Sequence, residues 1–148
     1  MTHIRTTLRQ AFEAVLASQL PTGQYQIFAS RKYALNVTAQ ATIDLRFQSD
    51  DIQQETMGKL RAHTATLFIR CQRVAGETSI DDLLDEDEVL INQAIQSQVW
   101  EPILREQPEL VKTVFTDDAS TGTVIAAIVL QYNLEYRAAI DDLETVRT

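Results

Sequence analysis

The last long apolar run of the chain, TVIAAIVLQYNLEYR at positions 123–137, puts Val124, Ala126, Ile128, Leu130, Tyr132, Leu134 and Tyr136 on every second position. That period lines one face of a β-strand. The other face changes from Ile125, Ala127 and Val129 to Gln131, Asn133, Glu135 and Arg137, so one end is expected to be buried on both faces and the other on one. At roughly 3.3 Å per residue the run exceeds about 40 Å, longer than most strands of a small domain. An overhang beyond its own sheet is expected, and Gln131, Asn133, Glu135 and Arg137 are the candidate contacts between copies.

The rest of the chain has two kinds of period. Over 2–19, Ile4, Leu8, Ala11, Phe12, Val15 and Leu16 recur at three and four, an amphipathic helix with Thr2 as a candidate N-cap and Pro21 and Gly23 as its stop. Positions 24–29 alternate as a short strand, 30–40 read as a loop, and 41–47 alternate through Ile43, Leu45 and Phe47. The polar stretch SDDIQQETMGK at 49–59 is expected to be an exposed connection, and loops of that kind carry contacts. Positions 60–73 alternate again, an antiparallel partner for 41–47. Ser79, with Asp82 three residues later, opens a second helix to about Gln98 with Ile80, Leu83, Leu84, Leu90, Ile91, Ala94 and Ile95 as its stripe. Positions 110–116 form a further strand before the long one. The expected fold is α+β, a single mainly antiparallel sheet of four to five strands flanked by two main helices in the order α-β-β-β-α-β-β. Residues 1–137 form one domain and 138–148 a frayed or helical tail.

Composition fits that reading: 148 residues, 45% hydrophobic and 23% charged, suit one globular domain. Thirteen basic against 21 acidic residues leave a formal net charge of −8. Such a surface repels phosphate backbones and suits a wall past which nucleic acid slides. No apolar run reaches the roughly 18 residues of a membrane span, so a soluble protein on the synthesising side of a membrane is expected.

Candidate chemistry is sparse. Asp81, Asp85 and Glu88 share a helix face within the run Asp81, Asp82, Asp85, Glu86, Asp87, Glu88, but no His or Cys is near in sequence and the alternating ligands of an EF-hand are absent. The run reads as a solvated helix face. His3 lies at a terminus expected to fray, and His63 lies in a strand without a local nucleophile. Cys71, the single cysteine, and Trp100, the single tryptophan, read as core residues. No GxSxG, HExxH, P-loop or GxGxxG occurs, so no catalytic residue, metal or cofactor is expected. The partner-binding candidates are Asp50, Asp51, Gln53, Gln54, Glu55 and Lys59 in the polar loop, then Arg31, Lys32 and Tyr33. Both sets rest on exposure and composition.

The helix IRTTLRQAFEAVLASQLP, the strands ATIDLRF and TATLFIRCQR, the helix SIDDLLDEDEVLINQAI and the strand VIAAIVLQYNLEYR together resemble the tail terminator (minor tail protein U-like) family of long-tailed bacteriophages. The likeness spans about residues 4–137 and lies in element order and texture. It implies a non-enzymatic virion protein of the tail and neck, made in the host cytoplasm. Six copies would form a ring on the tail tube, stop its polymerisation, dock the head connector or head-completion protein, and let DNA pass through the channel. Another neck or tail-tube protein is the alternative within that class. A small cytoplasmic enzyme or ligand-binding domain, with a site drawn from His63, the acidic helix and 49–59, is the alternative outside it.

Overall fold

The computed structural model describes residues 3–21, 25–28, 41–54, 60–74, 80–100, 103–118 and 125–139. Its elements are α1 (Ile4–Gln19), β1 (Tyr25–Phe28), β2 (Ala41–Gln54), β3 (Leu60–Val74), α2 (Ile80–Gln96), β4 (Glu109–Asp118) and β5 (Ile125–Ala139). The five strands make one sheet in the order β1-β2-β3-β5-β4. The pairs β2–β3, β3–β5 and β5–β4 are antiparallel, whereas β1 lies parallel to β2. The α+β order expected from the pattern is the order observed.

The helices form because their stripes have a sheet to cover. Ile4, Leu8, Phe12 and Leu16 of α1, and Leu84, Ile91, Ala94 and Ile95 of α2, are buried in one core with Ile43, Leu67, Ile69, Ile128, Leu130, Tyr132, Leu134 and Tyr136 of the sheet. Both helices therefore lie on one face; no described helix covers the other. Trp100 closes that core, stacked on Phe12 with ring centroids 4.2 Å apart and its indole N–H donating to the Ile95 carbonyl at 2.9 Å. His3, not Thr2, is the N-cap of α1: its Nδ1 accepts from the Arg5 amide at 3.1 Å. A neutral imidazole nitrogen can do this as a carboxylate would. Partial burial, then the neighbouring Arg5, hold the His3 pKa below its ordinary value.

Three expectations change. Against β3 the long strand does not overhang, since both are 15 residues long and pair from Ile125 opposite Val74 to Ala139 opposite Leu60, but β4 covers its other side only to Asn133. Positions 138–139 thus belong to the strand rather than to a tail, and 140–148 lie outside the described residues. The polar stretch is not an exposed loop through 54, because Ser49 to Gln54 continue β2 and pair with β3. Backbone hydrogen bonding to a long neighbour decides a strand whose own side chains are polar.

A bulge explains what that extension does. Phe47 pairs with Leu67 and Ser49 with Thr66, so Gln48 is an extra residue. One added residue exchanges the two faces of everything after it. Before the bulge Ile43 and Leu45 face the helices; after it, Asp50 and Ile52 stand opposite Ala65 and His63 on the helix-covered face.

Candidate functional site

Asp50 is the clearest consequence. Its carboxylate accepts from the Tyr136 hydroxyl through Oδ2, meets His63 Nδ1 at 3.0 Å through Oδ1, and has Arg5 Nε 3.9 Å away. His63 stacks on Tyr136 with centroids 4.6 Å apart. Burial, then the hydrogen bond to Asp50, raise the Tyr136 pKa. Asp50 is therefore engaged inside the fold and not displayed on an exposed loop. Its partners come from α1, β3 and β5, and they tie the N-terminus of α1 to one end of the sheet.

His63 does join a carboxylate, as an enzyme reading of these residues requires. A general base must reach the proton it removes, however, and this ring is 3% exposed and stacked on Tyr136. The arrangement holds two layers together. Asp50→Ala is expected to leave the Tyr136 hydroxyl and the His63 ring nitrogen without their acceptor, at about 1–3 kcal/mol for each buried polar group orphaned. Asp51, exposed on the opposite face of β2, should tolerate Lys within about 0.5 kcal/mol. Urea titration of the two variants checks both; equal stability would remove Asp50 from the cluster.

A second buried carboxylate corrects the reading of the acidic run. Asp87 is 1% exposed, accepts from Arg73 Nε at 2.6 Å and Nη2 at 2.8 Å, and also accepts from the Tyr25 hydroxyl. The Cys71 thiol lies 3.5 Å from it. Hydrogen bonding to Asp87 raises the Arg73 pKa, and burial is the larger cause of the raised Tyr25 and Cys71 values. Asp81, Asp82, Asp85 and Glu86 are exposed as expected, and Glu88 accepts from the Thr113 hydroxyl. The signal for Asp87 was present: it sits three residues after Leu84 and four before Ile91, on the buried stripe itself. Among the described residues, no group of three or more His, Cys, Asp or Glu side chains could hold a metal ion, and no helix is long and apolar enough to cross a membrane.

The other named residues divide. Gln131, Asn133, Glu135 and Arg137 lie half-buried on the face of β5 that no described helix covers; β4 pairs with β5 only through Asn133, so Glu135 and Arg137 extend past it on that side. Gln53 and Gln54 lie in β2 beside the hairpin connection. Arg31, Lys32, Tyr33, Glu55 and Lys59 fall outside the described residues, as does Ser79.

What reaches the surface is apolar at places the pattern did not single out. β4 is the last strand of the sheet, and Phe115, 58% exposed, lies along it with exposed Val111 and Val114. The bulge between Leu110 and Lys112 sets their facing, with Val114 opposite Val129 and Phe115 opposite Ile128. On the face that no described helix covers, Asp44, Arg46, Phe68, Arg70 and Val129 line a hollow of about 140 Å³. On the outer side of α2, Asp85, Glu86, Val89 and Leu90 line another.

No protein-family model matches the chain, and no match to it is found among curated protein sequences.

Proposed function

We propose that this chain is a structural subunit that assembles with copies of itself into a closed ring. Following the tail terminator resemblance, the ring caps a phage tail tube, ends its polymerisation and presents the surface on which the head connector docks. The observation that carries the proposal is the apolar outer strand. A sheet edge bearing Phe115, Val111 and Val114 in solvent is a surface that another chain covers in a stable assembly. β5 is paired along its whole length with β3, while on its other side β4 reaches only Asn133 and leaves 134–139 beyond it. The formal net charge of −8 suits a channel lining past which DNA moves without adsorbing.

Light scattering of the purified protein over a range of concentrations, with negative-stain imaging with and without tail tubes, tests this. Closed rings, or monomers that form rings on tubes, are the expected result. Long cylinders would assign the chain to the tube instead, and a strict monomer indifferent to tubes would overturn the assembly reading.

A further inference from the structure

Resting on that reading of self-assembly, we infer that neighbouring copies meet front to back: the sheet face that no described helix covers, around Arg46 and Phe68, seats on the outer face of α2 of the next. The two surfaces are complementary within a single chain. Register places Asp44 opposite Arg70, Arg46 opposite Phe68, and Val129 opposite Arg70, all on the face that no described helix covers. The result is an apolar centre, Phe68 and Val129, flanked by two arginines against one aspartate. Arg46 is exposed, and the Nε of Arg70 is buried with no hydrogen-bond partner. A carboxylate brought onto this face is matched in charge by the Arg46 and Arg70 guanidinium groups.

The α2 hollow has the opposite character. Val89, 54% exposed, and Leu90 form its apolar floor, and Asp85 and Glu86 form its rim. Exposed Asp81 and Asp82 extend the negative charge one turn further. Seating one on the other covers Phe68 and Val89 together and sets Arg46 and Arg70 against Asp85 and Glu86.

A second copy is the occupant because one chain supplies both halves. Two copies carrying a net charge of −8 each repel overall, so they approach productively where a basic hollow meets an acidic one. A two-fold contact joins the same patch of both copies, so pairing these hollows that way would need both on one side of the molecule. The two hollows lie on opposite sides of the helix–sheet pair, so the contact is heterologous, and a heterologous contact closes into a ring or continues as an open stack according to the rotation per step.

Charge exchange tests this. Arg46→Glu and Glu86→Lys each alter one exposed side chain, and thermal melting verifies that both variants fold. Each alone is expected to weaken self-association by at least tenfold in light scattering, and the chain carrying both is expected to recover most of it, because its acidic sheet face now meets a basic helix face. A monomeric wild type would overturn the assembly reading and this contact with it. An assembled wild type whose single variants associate normally, or whose double variant is weaker than either single, would overturn this contact alone and leave the hollow to an acidic partner other than a second copy.

Discussion

Ile128→Asp should abolish cooperative folding. Ile128 is fully buried near the middle of β5, between β3 and β4, opposite Cys71 on one side and Phe115 on the other. Replacing it removes a side chain whose burial contributes about 1.5–3 kcal/mol. It also puts a carboxylate where the neighbouring core side chains are those of Ile69, Leu130 and Cys71. An unpaired buried charge costs several kcal/mol more, and total stability for a domain is roughly 5–15 kcal/mol. Ile128→Ala keeps the site apolar and should cost about 2–5 kcal/mol, so it serves as the folded reference. Circular dichroism during heating distinguishes them: a soluble Ile128→Asp protein with a sharp melt would mean that β5 is not the centre of the core.

Removing the cation from the Arg73–Asp87 pair should be nearly as damaging, and removing both charges much less so. Arg73→Leu leaves Asp87 buried with the Tyr25 hydroxyl and the Cys71 thiol as its neighbouring donors among the described residues. Breaking a buried pair from one side costs about 3–5 kcal/mol. The double variant Arg73→Leu, Asp87→Leu leaves no charge stranded, and its remaining cost is the Tyr25 hydroxyl without an acceptor, about 1–3 kcal/mol. Urea unfolding of the two single variants and the double completes the cycle. A double variant as unstable as Arg73→Leu would show that the pair contributes through packing and not through charge.

The placement of these two sites shows how far a pattern reaches. Ile128 was readable because alternation over a long run leaves a strand no other way to hide its apolar side. The stripe of α1 was readable for the same reason at a different period. Asp87 was misread because a carboxylate among five other acids looks like a wetted surface, and only its spacing from Leu84 and Ile91 argued otherwise. Its cation lies on another element, brought to it when α2 packs on β3.

Asp50 and the polar stretch around it were hidden by a different cause. Side-chain polarity argued for a loop, but β3 is long enough to pair with every residue through Gln54. The extra residue at Gln48 then turned Asp50 inward. No local pattern records a bulge, since an inserted residue resembles its neighbours until a partner strand sets the register.

The sequence alone determined the number and order of the elements, which face of β5 and which stripes of α1 and α2 are buried, and that Trp100 and Cys71 are core residues. Each follows from periodicity and burial of apolar area, which are local properties of a chain in water. Tertiary structure alone decided the parallel placement of β1, the length of β2, the inward turn of Asp50, the pairing of Asp87 with Arg73, and the exposure of Phe115. Those depend on which strand lies beside which, and pairing between distant segments is set by the packing of the whole sheet.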